Sequence, residues 1–372
     1  MAHAKGQIRV SFVCFNAYKL FNRRSSAQIG GTEVQMHTLA TSLAKDDRFT
    51  VSCIVGNFNQ PRVEKFGNIT VVSAFKLRKS IWNLLTAPVF LFQALRISRP
   101  DVIISSPAGP EVGLLALYCI FFPKTTYIFR TASDVDCNTV KEKTFDPVSA
   151  LLYRFGIRYA QAVVVQHERQ QSDLQNYYHK KSRILGNGYS VPGTIIPIQE
   201  REKRIAWVGS SRTVKRADIF FKVVEQLPSY SFDMVLSESG DTRLHKKYTA
   251  QATRYSNLVF HGELLPDQVN TLLSSARILI GTSDYEGSPN TYIIAALSGT
   301  PVISLNVACD GVCVNGDLDQ MKMEIKNIMG DDEYAIKISD QALQAARTHY
   351  DINKVIVQWI SVIQEMYYSQ KN

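Results

Sequence analysis

With 372 residues, 45% of them hydrophobic and 20% charged, and with no low-complexity tract or internal repeat, the chain is longer than one core usually grows. This excludes a disordered polymer and a repeat solenoid, and it predicts two domains of ordinary size. The formal charge of +9 is uneven: residues 1–190 hold 24 Lys and Arg against 12 Asp and Glu, a net +12, whereas residues 191–372 hold 18 against 21, a net −3.

The first half alternates strand-like runs with helix-period segments. IRVSFVCF reads as a strand, TEVQMHTLATSLAK as a helix, and FTVSCIVG, NITVVSAF, DVIISS, TYIFRT and AVVVQ as further strands. Turn formers concentrate in GNGYSVPG after the short strand SRIL, which places the boundary between domains within about residues 187–200. A second series follows, with RIAWVG, FDMVLS, NLVFHG, ARILIG and PVISL as strands and DIFFKVVEQL, PDQVNTLLSS and NTYIIAALS as helices. The tail DINKVIVQWISVIQEMYY repeats apolar residues at helical spacing. The predicted class is α/β, with two doubly wound domains whose sheets present their carboxyl ends to a shared cleft, where open α/β sheets bind ligands.

The segment Lys76 to Arg99 brackets Ile81, Trp82, Leu84, Leu85, Phe90, Leu91, Phe92 and Leu95 with Lys76, Arg78, Lys79, Arg96 and Arg99. Basic ends around an apolar centre suit a membrane interface, and a core helix of the α/β domain is the alternative. Pro88 interrupts it, and its apolar run is too short to span a bilayer, which takes about 20 residues, as is VGLLALYCIFF, Val112 to Phe122, which reads as a core helix. A basic half faces an anionic partner or is simply solvated; an anionic membrane surface fits, while nucleic acid is not expected because no recognised binding motif accompanies the charge. The six cysteines (Cys14, Cys53, Cys119, Cys137, Cys309, Cys313) are scattered, and no apolar signal region precedes the first strand, so a cytoplasmic location is expected. Cys309 and Cys313 lack a second Cys or His pair to complete a zinc site, so no metal is expected.

Three segments could handle a phosphate. In QIGGTEVQMHTLATSL, Gly30 and Gly31 stand before a helix, where amides welcome an anion and no side chain blocks its approach; a plain loop is the alternative. In RIAWVGSSRTVKRADIFFKVV, Arg212, Lys215 and Arg216 cluster at the turn between a strand and a helix, suited to a pyrophosphate. In EGSPNTYIIAALSGTPVI, Glu286 follows the strand ARILI, and Gly287, Ser288, Pro289 and Asn290 turn the chain into a helix. A carboxylate there can accept sugar hydroxyls or offset positive charge at an anomeric carbon; it can also simply cap the helix.

Taken together, GGTE at Gly30 to Glu33, NG at Asn187 and Gly188, WVGSSRTVKR at Trp207 to Arg216 and the EGSPN segment resemble family 4 of the retaining glycosyltransferases over nearly the whole chain. The resemblance implies a GT-B fold of two Rossmann-like domains. Residues 1–190 with a returning helix 352–372 would bind the acceptor, and residues 191–351 the nucleotide sugar, without an essential metal. It implies catalytic roles for Glu286, Lys215 and Asp134, and donor contacts from Gly30, Gly31, Arg212, Lys215, Glu286, Gly287, Ser288, Pro289 and Asn290. The implied reaction moves a sugar from a nucleotide diphosphate to a glycan or lipid-linked hydroxyl with retained configuration. Bacterial surface polysaccharide assembly at the cytoplasmic face of the inner membrane would be the setting. A nucleotide-sugar epimerase or hydrolase of the same fold, and a non-catalytic sugar-nucleotide binder, are the rival readings. Three positions depart from the family pattern. Ile294 stands where a second Glu usually contacts ribose, Ser210 replaces the Arg of VGR so that Arg212 would serve, and TASDVD offers Ser133 and Asp134 where a His is common.

Overall fold

The computed structural model describes residues 6–27, 29–77, 81–286 and 289–371. The chain divides into two compact units: unit 1 runs to Gly188 and resumes at Ile352, and unit 2 is Tyr189–Asp351. The strands of unit 1 are β1 (Ile8–Val13), β2 (Phe49–Val55), β3 (Val63–Phe66), β4 (Ile69–Ser73), β5 (Val102–Ser105), β6 (Thr126–Arg130), β7 (Ala162–Val165) and β8 (Arg183–Ile184). Between them lie α1 (Tyr18–Phe21), α2 (Gly31–Leu43), α3 (Ile81–Ser98), α4 (Glu111–Phe121), α5 (Thr139–Glu142), α6 (Pro147–Tyr159) and α7 (Glu168–Tyr178). Unit 2 contains β9 (Glu202–Ser211), β10 (Ser231–Gly240), β11 (Leu258–Gly262), β12 (Ala276–Gly281), β13 (Val302–Ser304) and β14 (Val312–Cys313). Its helices are α8 (Ala217–Gln226), α9 (Thr242–Ala252), α10 (Pro266–Ser275), α11 (Asn290–Leu297), α12 (Leu318–Gly330) and α13 (Asp332–Tyr350); α14 (Ile352–Tyr368) then rejoins unit 1.

The sheet of unit 1 has the order β3-β4-β2-β1-β5-β6-β7-β8, and only β3 runs antiparallel to its neighbour. The sheet of unit 2, β11-β10-β9-β12-β13-β14, is parallel throughout. Strands such as VIIS and AVVV are buried along their whole length, as parallel strands covered on both faces must be. The edge strand β3 escapes the sequence reading because VEKF puts two charges in four residues, a usual protection for an edge. In each sheet the strand order reverses once, between β1 and β5 in unit 1 and between β9 and β12 in unit 2.

One face of the first sheet is covered by Met36, Leu39 and Leu43 of α2 and by Ile352, Val355, Trp359, Val362 and Ile363 of α14. Each such side chain stabilises the fold by about 1.5–3 kcal/mol when fully buried, so the apolar spacing in the tail is what fastens α14 to unit 1. The opposite face is covered by Leu91 and Leu95 of α3, Val112 and Leu115 of α4, Tyr153 and Ile157 of α6 and Leu174 of α7. There α4 and α6 cross at backbone distance: a Cβ on Gly113 would lie 2.2 Å from Leu152 O, and one on Gly156 would lie 2.4 Å from the Val112 carbonyl carbon. The two chain crossings between units are tied together, since Tyr189 N–H donates to Tyr350 O at 2.8 Å and Tyr189 pairs with Asp351 in a parallel bridge.

The two apolar segments singled out in the sequence are both helices of unit 1. In α3, Leu91, Ala94 and Leu95 are buried while Val89, Phe90 and Ile97 are exposed; Arg78 and Lys79 lie outside the described residues. Helix α4 is a core helix with an exposed end at Ile120, Phe121 and Phe122. No helix among the described residues is long and apolar enough to cross a membrane.

Candidate functional site

The reversal of strand order in unit 2 brings two loops together at the carboxyl ends of β9 and β12, the place where open α/β sheets bind ligands. The β9 loop forms a single 3-10 turn, Thr213–Lys215, before α8. Its position is fixed by a relay: Trp207 Nε1–H donates to Thr282 Oγ1 at 2.9 Å, and Thr282 Oγ1–H donates to the carbonyl of Lys215 at 2.8 Å. Asp284 N–H adds a bond to Val214 O at 2.9 Å. Across this junction the Lys215 ammonium is ion-paired with the Glu286 carboxylate, which also accepts from Ser283 Oγ at 2.7 Å. Both side chains are mostly buried, with relative exposures of 16% for Lys215 and 13% for Glu286. In such surroundings a charge acts more strongly than in water. The Glu286 charge also acts on Tyr292, whose hydroxyl is pushed upward first by burial and second by that carboxylate. Helix α11 approaches β12 closely enough that a Cβ on Gly281 would meet the Tyr292 oxygen at 1.7 Å, so only glycine fits.

The other members of the basic cluster have different surroundings. Arg216, in the left-handed region at φ 48°, turns its guanidinium to Asp218 at 3.1 Å and Asp284 at 3.0 Å, and these partners hold its pKa up. Arg212 is exposed beside the loop, donating from Nε to Ser210 Oγ at 3.0 Å. Asn290, at the start of α11, accepts from the Tyr189 hydroxyl, and Pro289 precedes it as the cap residue. Gly287 and Ser288 lie outside the described residues, as does Gln28.

In unit 1 the reversal between β1 and β5 places Gly30 and Gly31 on one side and the β5–α4 turn on the other. The amide of Gly30 is already engaged, donating to Glu33 Oε2 at 2.8 Å. This corrects the expectation that it stands open to an anion: Glu33, three residues past the cap, satisfies the amide that a helix start leaves without a partner. Desolvation is the largest influence on Glu33 and raises its pKa, partly offset by its backbone bonds. Asp134, after β6, lies 3.0 Å from His167 Nε2 and accepts from Gln170 Nε2 at 2.9 Å. Gln170 Oε1 in turn accepts from Thr131 Oγ1 at 2.9 Å, so the carboxylate is oriented from behind.

Residues 202–331 match the family model described as Glycosyl transferases group 1, a stretch that contains both Lys215 and Glu286. No curated protein matches the chain by sequence. Among solved structures, sucrose-phosphate synthase from Thermosynechococcus elongatus superposes with a TM-score of 0.75 at 14% identity, covering 98% of this chain and 100% of that one. The catalytic domain of starch synthase IV from Arabidopsis thaliana, solved with ADP and acarbose, gives 0.71 at 10% identity, covering 98% and 100%. The lipopolysaccharide outer core galactosyltransferase WaaB, in its apo form, gives 0.62 at 15%, covering 96% and 99%. The fold is GT-B. The residues matched by the group 1 model, 202–331, all lie within unit 2.

In this GT-B chain, Ile294 on α11 is partly buried and packs against an apolar cluster that includes Leu273, Leu279, Ala295 and Val302, a setting without the carboxylate the family pattern leads one to expect. Two residues that the sequence reading did not name join the rim of unit 1. His167 precedes α7 and meets Asp134 only through the adjacency of β6 and β7, which no local spacing announces. Glu111 opens α4, and burial pushes its carboxyl up to about 7. Its carboxylate lies over Gly109, where a Cβ would meet Oε2 at 2.2 Å. Among the described residues, no group of three His, Cys, Asp or Glu side chains is placed to hold a metal ion.

The Asp134 carboxyl is held below the usual aspartate range, chiefly by the contact with His167 and then by Gln170, against a burial effect of opposite sign. A depressed folded pKa adds stability that is fully present above the unfolded value of about 3.9 and is lost as pH falls through the folded value. The expected outcome is that the thermal midpoint of the natural protein falls more steeply below about pH 4 than that of His167→Ala. Parallel acid profiles for the two proteins would remove this contact from the stability of unit 1.

Proposed function

We propose that the protein is a retaining, metal-independent glycosyltransferase that moves a sugar from a nucleotide-diphosphate donor to a hydroxyl of a glycan or lipid-linked acceptor. The observation that supports this reading most is the Lys215–Glu286 pair at the strand-order reversal of unit 2, inside the stretch matched by the group 1 model. An ammonium has three donors, so Lys215 can keep its bond to Glu286 while donating to a phosphate oxygen. Arg212, exposed beside it, would add charge to the same diphosphate. Glu286 would accept hydroxyls of the donor sugar and offset the positive charge that grows at its anomeric carbon. The bond from that carbon to the diphosphate breaks, and a bond to the acceptor oxygen forms on the same face. The acceptor proton passes to the released phosphate oxygen, so no protein nucleophile is required. Asp134, oriented by His167 and Gln170, would bind a sugar hydroxyl from unit 1.

A lipid-linked acceptor, assembly of a bacterial surface polysaccharide and peripheral contact with the cytoplasmic face of an anionic membrane belong to the same proposal, supported by the basic balance of residues 1–190. One observation favours a second reading. The apolar surroundings of Ile294 suit a binder that holds sugar nucleotides without turning them over.

A thermal-shift panel of UDP-, GDP- and ADP-sugars, followed by a search for glycan product, separates these readings. A donor present at 100 times its Kd adds about 2.7 kcal/mol to the stability of the native state. The proposal expects one base to raise the midpoint and its sugar to appear on an acceptor. A shift without any product would favour the binder, and no shift with any donor would overturn both.

A further inference from the structure

Helix α6 is apolar on two sides. Its inward side buries Tyr153 and Ile157 against the sheet. Its outward side carries Val148, Leu151 and Tyr159, exposed to 65%, 69% and 47%. Half-buried Phe155 lies between them, its ring 4.5 Å from that of Tyr159. The spacing i, i+3, i+7, i+11 aligns the four as one stripe. Phe155 also packs against the core, but Val148, Leu151 and Tyr159 are apolar area that the fold does not use, where a helix on the surface of a domain normally presents polar residues.

The charges around it are one-sided. Between Thr139 and Tyr159 the chain has four cations, Lys141, Lys143, Arg154 and Arg158, and two carboxylates, Glu142 and Asp146. Both carboxylates are occupied: Glu142 is buried in an ion pair with Arg154, and Asp146 caps α6 by accepting from Val148 N and Ser149 N at 3.1 and 3.0 Å. We propose that the outward face of α6 lies on an anionic lipid bilayer, with Val148, Leu151 and Tyr159 among the upper acyl chains and Arg158 extended to headgroup phosphates. Arginine stems suit this because they bury methylenes while the guanidinium stays at the polar boundary. A second copy of the chain fits less well. Four side chains, each partly covered already, fall far short of the roughly 800 Å² per partner that a stable interface needs.

The location deepens the reading of a lipid-linked acceptor and rests on it. The first turns of α4 and the middle of α6 touch through Gly113 and Leu152, and α4 opens with Glu111 at the carboxyl edge of the sheet, the edge that also holds Asp134. The surface is therefore assigned to α6, whereas the sequence left the segment around α3 open between a membrane interface and a core helix.

The test is flotation of the full chain with phosphatidylcholine vesicles, with and without phosphatidylglycerol, at low and high salt. We expect binding only with phosphatidylglycerol, weakened by salt. We expect Val148→Glu/Leu151→Glu, and in milder form Leu151→Ser, to bind on the order of tenfold or more weakly. Phe90→Glu on α3 and Phe121→Glu on α4, both exposed, should bind as the natural chain does. The donor-induced thermal shift, measured without vesicles, should be the same for all variants, so a failure of docking is distinguishable from a failure of the transferase reading. Three results would overturn the proposal: no vesicle binding by the natural chain, full binding by the double variant, or a dimer that the double variant dissociates while vesicle binding persists.

Discussion

Under the proposed reaction, Glu286→Gln is expected to lower sugar transfer by about 100-fold or more while the protein stays folded. The substitution keeps the size of the side chain and an oxygen able to accept from Ser283 Oγ, so the local packing has no reason to change. What disappears is the negative charge opposite Lys215 and beside the Tyr292 hydroxyl. A charge that stabilises a developing cation matters most at the transition state, so the loss should fall on kcat more than on donor affinity. Breaking a fully buried pair costs about 3–5 kcal/mol, and here both side chains retain some contact with solvent, so the cost to the fold is smaller. Steady-state kinetics with a separate binding measurement gives the answer. Turnover equal to that of the natural chain would remove Glu286 from the proposed chemistry.

Gly156→Ala is expected to destabilise unit 1 strongly for a single added methyl group. The new Cβ would lie 2.4 Å from the Val112 carbonyl carbon and 2.6 Å from Gly113 N, both backbone atoms of α4. No side chain can swing aside, so one of the two helices has to move, and overpacking of this kind costs about 1–3 kcal/mol or more. For a unit of this size each kcal/mol lowers the midpoint by roughly 2–4 °C. Calorimetry on Gly156→Ala, on Gly113→Ala and on the double variant would show the coupling. The double variant should lose less than the sum of the single losses, because one displacement of the helices relieves both clashes. An unchanged midpoint for Gly156→Ala would mean that the crossing is looser than the structure shows.

The fold class was legible because the strands are buried on both faces and are therefore written as unbroken Val and Ile runs, VIIS and AVVV among them. Strand β3 was not, since its Glu64 and Lys65 serve an edge. At the candidate site, the residues alone placed Arg212, Lys215 and Arg216 at one turn, and only the family resemblance gave Lys215 and Arg212 site roles. The structure separates them through a backbone detail, the left-handed conformation of Arg216, which commits that guanidinium to Asp218 and Asp284. Lys215 and Glu286 are 71 positions apart, and their contact depends on β9 and β12 being neighbours. The engagement of the Gly30 amide could have been foreseen, because GGTE has the cap-to-N3 spacing of a capping acid. The meeting of His167 with Asp134 could not, since nothing near either residue encodes the other.

The pairing of Tyr189 with Tyr350 and Asp351 has a consequence for the order in which the protein is made. All of Tyr189–Asp351 leaves the ribosome before the residues of α14, so this inserted unit can close its own ends while the earlier half of the chain still lacks Trp359, Val362 and Ile363 for one face of its sheet. The part synthesised first is therefore completed last. Truncation before Ile352 would leave the inserted unit whole and strip a layer from the other.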